Sequence, residues 1–280
     1  MLEQIKWAYP NLNRMLRGSF VRNKKLISFL EVHLDKIVPD NILEVGCGTG
    51  RMTKFLNKKY RDKYLICIDY KQESIDLLKK SFKARQNLKI LNKDINEFSN
   101  NKNFDLIIGF QIYPFLKNPR NSFSNMINLL EEDGLLFLLE MDMRKVKTNI
   151  FLESDKKFYH DYLRGLEIYG VHYDFERIND YLNDLELNLE IEFYEYLQKE
   201  VIEINKTLIK KMSILKTQTE YLNEIAEFYL QFLEPFGWNR EDVHNYFVKS
   251  FTFECYKNHI GKHLIRNTPY YLYIIGKRTT

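Results

Sequence analysis

What this 280-residue chain lacks narrows its chemistry before any motif is considered. It has three cysteines, Cys47, Cys67 and Cys255, with no C-x-x-C spacing and no even count to pair. Neither a disulfide framework nor a zinc site is expected, and a reducing cytoplasm fits. Long apolar runs are missing too. Runs such as Leu135–Leu139 fall far short of the roughly 20 residues a membrane-spanning helix needs. Met1-Leu2-Glu3-Gln4-Ile5-Lys6-Trp7 has no apolar core of signal-peptide length, so the expectation is a soluble protein without a membrane partner. Charge of one sign is not in large excess: 42 Lys and Arg stand against 38 Asp and Glu, a net of +4 that demands no polyanionic partner. Nor does any stretch rich in Gly, Pro and Ser form a linker, which argues against a second domain on a tether.

What is present concentrates in Ile42-Leu43-Glu44-Val45-Gly46-Cys47-Gly48-Thr49-Gly50. An apolar strand runs into three glycines spaced G-x-G-x-G, and a helical pattern (Met52, Phe55, Leu56) follows at once. Glycines let the chain turn sharply and bring backbone against a ligand with no Cβ in the way, and the next helix points its unpaired N–H groups at the same spot. This is the expected place for a nucleotide-type ligand at the carboxyl end of a first parallel strand. A dinucleotide fingerprint would need G-x-G-x-x-G, but Arg51, Met52 and Thr53 follow Gly50. A P-loop is excluded because no Gly-Lys-Ser/Thr follows the glycines.

Four more strand signals alternate with helical ones. Tyr64–Ile68 ends in Asp69-Tyr70; Leu88–Leu91 is closed by Asp94-Ile95; Phe104–Phe110 is the fourth; Leu135–Glu140 is the fifth, after Glu132-Asp133-Gly134 as helix stop and turn. Ile75, Leu78 and Phe82, and Phe123, Ile127 and Leu130, recur at helical spacing between them. The alternation argues for a doubly wound parallel sheet. A carboxylate at the end of the second strand, Asp69, is placed to accept hydrogen bonds from two ribose hydroxyls. Leu189–Tyr196 reads as a sixth strand and Tyr270–Gly276 as a seventh.

Taken together, these motifs resemble the class I S-adenosylmethionine-dependent methyltransferases over about residues 35–142. Residues 42–50 are similar to that family's first motif, Asp69 stands at its ribose-binding acid and Asp94-Ile95 at its adenine-contacting pair. Phe104–Gln111 resembles the fourth-strand motif, and Leu129–Leu136 the entry into the fifth, with Asp133-Gly134 where two glycines are frequent. The resemblance implies a seven-stranded, mostly parallel Rossmann-like sheet whose last strand is antiparallel. It implies S-adenosyl-L-methionine as cofactor, with Glu44, Gly46, Cys47, Gly48, Gly50, Asp69, Tyr70, Asp94, Ile95, Phe110 and Gln111 around it.

Beyond the family scaffold about half of the chain after Asp142 is extra. The expected organisation is N-terminal helices and cofactor core over 1–146 and a lid insertion at 147–172. A core helix and sixth strand then occupy 173–203, a second helical insertion 204–265, and the closing strand 266–280. Before the core, Leu26, Phe29, Leu30, His33 and Leu34 lie on one helical stripe, while Trp7, Tyr9 and Phe20 suit either a packed helix or a flap over the cofactor. Residues 153–203 carry 14 acidic against 5 basic residues, which suits either a solvated helix face or a wall that would repel phosphate backbones. Twenty Phe, 19 Tyr and two Trp, many in the extra segments, suit either an insertion core or an aromatic acceptor pocket. Candidates for a base are His160, His172 and Tyr113, with Asp142 at a strand end. Gln111-Ile112-Tyr113 offers no acidic ligands after the fourth strand, so no metal is expected, and Phe110–Phe115 lacks the Asn/Asp-Pro-Pro-aromatic motif of nucleic-acid amino-methylating enzymes. The reading is metal-independent methyl transfer to a small organic acceptor at O, N or C. An RNA or protein methyltransferase, or a non-catalytic cofactor-binding homologue, stands as the alternative.

Overall fold

The computed structural model describes residues 4–6, 9–10, 23–82, 85–149, 153–171, 173–185, 187–210, 219–250 and 259–277. The chain groups into two compact units. A sheet unit comprises Asn13–Asp142, Tyr173–Tyr196 and Tyr270–Thr280, and a helical unit comprises Met1–Leu12, Met143–His172 and Leu197–Pro269.

The strands are β1 (Asn41–Val45), β2 (Tyr64–Asp69), β3 (Leu88–Asn92), β4 (Phe104–Phe110), β5 (Leu130–Met141), β6 (Lys147–Thr148), β7 (Leu189–Glu203) and β8 (His263–Lys277). Their order is β3-β2-β1-β4-β5-β8-β6, with β7 also paired to β8. β1–β2, β1–β4, β2–β3 and β4–β5 are parallel, whereas β5–β8 and β6–β8 are antiparallel. The expected doubly wound sheet is present, with the two-residue β6 as an eighth strand. Its order reverses between β1 and β4, and in an open α/β sheet ligands bind in the crevice at that switch point.

Helices cover the sheet with the stripes their sequences carry. Helix α1 (Lys24–Leu34) is capped by Asn23 on the Leu26 amide and buries Leu26, Leu30, His33 and Leu34. Helix α2 (Arg51–Lys59) starts from Gly50 and buries Met52, Thr53, Phe55 and Leu56. Helix α3 (Gln72–Ser81) buries Ile75 and Leu78. Helix α4 (Pro119–Asn128), capped by Asn118, ends two residues before Leu130, which opens β5 instead of completing the helix. Glu131–Gly134 then forms an irregularity inside β5, since Phe104 pairs with Leu130 but Leu106 with Leu135. Gly134 is needed there because a Cβ would stand 2.7 Å from the Phe104 carbonyl oxygen. The predicted helix stop is thus a strand bulge.

β7 and β8 run well past the predicted ends, and their extensions meet where Ile204 donates to the Lys262 carbonyl and Gly261 to the Ile204 carbonyl, both at 2.9 Å. In the sheet unit a short helix, α5 (Arg177–Asn183), buries Ile178 and Leu182. The helical unit holds α6 (Glu153–Ile168), α7 (Thr219–Leu233) and α8 (Arg240–Ser250). A Cβ on Gly165 would stand 2.0 Å from the Phe232 carbonyl, so α6 and α7 touch backbone to backbone. Phe158 stacks on Tyr246 at 4.0 Å and lies edge-on to Trp238 and Phe247. Of these Phe158 and Phe247 are buried, and Trp238 and Tyr246 half-buried. Tyr9 packs edge-on to Phe228, while Trp7 and Phe20 lie outside the described residues. No described helix is long and apolar enough to cross a membrane.

Candidate functional site

The glycine turn leaves β1 with Gly46, Gly48 and Gly50 at φ +65, +51 and +97. A Cβ on Gly46 would stand 2.5 Å from Ile112 Cγ2, whereas one on Gly48 would meet nothing within 4 Å. Gly46 therefore serves close packing, and Gly48 leaves open space that a side chain would fill. The Cys47 amide donates to the Ile68 carbonyl at 3.0 Å, tying the turn to β2.

Asp69 closes the link. Its Oδ2 accepts the Gly48 amide and its Oδ1 the Lys71 amide, each at 2.8 Å. Every carboxylate oxygen can take a further hydrogen bond, so both retain capacity for a pair of vicinal hydroxyls. Burial pushes the Asp69 carboxyl above its usual range, against the pull of the Lys71 and Gly48 amides. Asp94, past β3, accepts from the Asn96 amide and side chain at 2.9 Å, with Lys117 Nζ 3.9 Å away. Lys117 and Lys71 also stand over the Tyr70 ring, at 5.2 and 5.5 Å. Ile95 is buried. After β4, Gln111 adopts φ +55, rare for a residue with a Cβ. Its Oε1 accepts from Arg51 Nη1 at 3.1 Å, and the Arg51 guanidinium lies 5.2 Å from the Phe110 ring centre.

Two predicted contact residues face inward. Glu44 is 1% exposed, and burial pushes its carboxyl up to about 7 against the opposing pull of Thr53 and Cys67. Cys47 is buried, which raises its thiol well above the ordinary value and leaves it inert.

The base candidates separate. The Tyr113 hydroxyl donates to the Asp174 carbonyl at 2.6 Å, and burial, with Tyr181 and Asp174 nearby, raises its phenol. This hydrogen bond links the turn after β4 to residue 174. His160 lies in the helical unit, its side chain two-thirds exposed, with Nδ1 3.2 Å from Asp161 Oδ1. Asp161 also accepts from Trp238 Nε1 at 2.9 Å and pairs with Lys157. Burial alone would raise its carboxyl, but these donors together bring it down to about 2. His172 lies outside the described residues. Asp142 is fully buried. Among the described residues no three His, Cys, Asp or Glu side chains group to hold a metal ion.

Sequence reasoning missed Glu140 and Arg51. Glu140, at the end of β5, is fully buried, and its Oε1 accepts the Ile112 and Tyr113 amides at 3.0 Å each. The available signal was an acid directly after the apolar run Leu135–Leu139.

Residues 42–134 match the family model described as a methyltransferase domain. Over 140 residues the chain is 30% identical to the malonyl-[acyl-carrier protein] O-methyltransferase of Paenibacillus sp. (strain JDR-2), covering 47% of this chain and 48% of that protein. Over 106 residues it is 30% identical to ribosomal RNA small subunit methyltransferase A of Mesomycoplasma hyopneumoniae (strain 232), covering 37% of this chain and 39% of that one. The chain thus spans about half, or less, of the length of these relatives. The solved plantazolicin methyltransferase BamL, in complex with a triazolic desmethylPZN analog and SAH, aligns over 96% of this chain and 90% of its own at a TM-score of 0.51 and 14% identity, a likeness of fold. The architecture is the Rossmann-like α/β fold of class I methyltransferases. Within it residues 42–134 are the part that resembles a methyltransferase domain.

Proposed function

We propose that the chain is an S-adenosylmethionine-dependent methyltransferase that methylates a small organic acceptor at O, N or C without a metal. The observation that carries the reading is the Asp69–Gly48 hydrogen bond of 2.8 Å, which joins ribose acid and glycine turn at the switch point of the sheet. Asp69 would hold the ribose, the Gly48 turn would cradle the amino-acid end, and Asp94, Ile95 and Tyr70 would flank the adenine. When bound, the cofactor supplies an activated methyl group on a sulfonium.

The protein's own share is proximity, alignment and exclusion of water. An acceptor with a free lone pair needs no base. For one that arrives protonated, His160 and His172 are the candidates. Cys47 and Cys67, both free and buried, suit a reducing compartment such as the cytoplasm.

The test is a screen of metabolite extracts and RNA with methyl-labelled S-adenosylmethionine, with and without chelator. Label in small molecules, unaffected by chelator, is the expected result. Label in RNA alone would favour the RNA alternative, loss of transfer with chelator would overturn the metal-free mechanism, and no transfer to any fraction would favour a non-catalytic homologue.

A further inference from the structure

Glu140 is a costly residue for its position. It stands opposite Tyr271 in the β5–β8 pairing, fully buried, with both backbone donors on Oε1 and, among the described residues, no partner for Oε2. A buried carboxyl that satisfies only one oxygen opposes folding relative to an apolar side chain. What it holds explains its presence. Gln111 turns through φ +55, a conformation that costs a residue with a Cβ about 1–2 kcal/mol. Arg51 fixes that turn from one side through Gln111 Oε1, and Glu140 fixes it from the other through the Ile112 and Tyr113 amides. The side chain so placed is Ile112, whose atoms lie 2.5 and 2.4 Å from where a Cβ on Gly46 and on Gly109 would stand. A carboxyl on β5 thus sets the backbone of a turn whose side chain seats directly on the glycine loop.

We propose that Glu140 is a positioning residue of the cofactor site: by accepting the Ile112 and Tyr113 amides it keeps Ile112 seated on Gly46, and so keeps the glycine loop in its ligand-accepting shape. The proposal rests on the functional reading above, because it takes the glycine loop as the cofactor's cradle. Only an acceptor oxygen is needed at this place, so the amide of glutamine replaces the carboxyl and alanine does not.

Titration calorimetry of the full chain with S-adenosylhomocysteine tests this without knowledge of the acceptor. Glu140→Gln should bind within about threefold of the wild type, and Glu140→Ala at least about tenfold more weakly, a difference of about one hydrogen-bonded contact. Ile112→Ala, which leaves Glu140 in place, should weaken binding comparably. Leu136→Ala, a fully buried change in the same strand, should lower the melting temperature but leave affinity unchanged. Rescue by glutamine together with an unaffected Leu136→Ala separates positioning from general destabilisation. The proposal is overturned if Glu140→Ala binds like the wild type, if Glu140→Gln is as weak as Glu140→Ala, or if Leu136→Ala weakens binding as much. Should Glu140→Ala fail to fold, Ile112→Ala decides, and wild-type affinity there overturns the idea. A wild type that binds no S-adenosylhomocysteine sinks the functional reading itself, a result distinct from all of these.

Discussion

An alanine methyl at Gly46 would press 2.5 Å from Ile112 Cγ2 on a backbone already at φ +65, while at Gly48 it would find open space and pay only for φ +51. Gly46→Ala should therefore cost about 2–4 kcal/mol and Gly48→Ala about 1–2 kcal/mol, since overpacking adds to left-handed strain only at the first. Urea unfolding of the two variants checks the order, and equal losses would contradict it. Glu140 and Glu44 make a second claim at this scale. Burial pushes the first up to about 8 and the second up to about 7, from an ordinary 4.5. A raised folded value means the stabilising contribution is complete below the unfolded value and is lost as pH rises through the folded one. Glutamine at 140 cannot ionise. The stability of Glu140→Gln relative to the wild type should then climb between about pH 5 and 8, by up to about 1.4 kcal/mol per pH unit, and level off above. A difference constant with pH would contradict the assignment.

Glycine turn, Asp69 and the first five strands were legible as elements because each is local: a period-2 or continuous apolar run, a turn residue, then a helical stripe. Boundaries set by tertiary contact were not. Leu130 fits the helical spacing of Phe123 and Ile127, yet pairing with Phe104 draws it into β5. β7 and β8 extend past their apolar cores because each supplies the other's backbone partners around Ile204 and Lys262. Glu140 and Arg51 stayed invisible as site residues for the same reason, since their partners lie on other elements 27 to 60 positions away along the chain. In the helical unit the α6–α7 contact makes a prediction of its own. Gly165→Ala places a methyl 2.0 Å from the Phe232 carbonyl and should cost about 1–3 kcal/mol by forcing α6 and α7 apart. Near-ultraviolet circular dichroism should lose intensity from the Phe158–Tyr246 stack, and an unchanged spectrum and melting temperature would refute the packing.

For the whole molecule, cofactor and acceptor are unequally readable. Cofactor recognition uses backbone turns and two or three carboxylates, which leave a sequence signature. Acceptor recognition uses the shape of an apolar pocket, which depends on which aromatics face inward, and Phe158, Trp238, Tyr246 and Phe247 face one another. The central claim is therefore tested at the cofactor. Titration calorimetry of the wild type with S-adenosylmethionine should show saturable binding at one site per chain, and Asp69→Ala should weaken it at least about tenfold, since charge-assisted hydrogen bonds are worth about 1.5–3 kcal/mol each. Saturable binding that survives Asp69→Ala unchanged, or no binding by the wild type, would contradict the account.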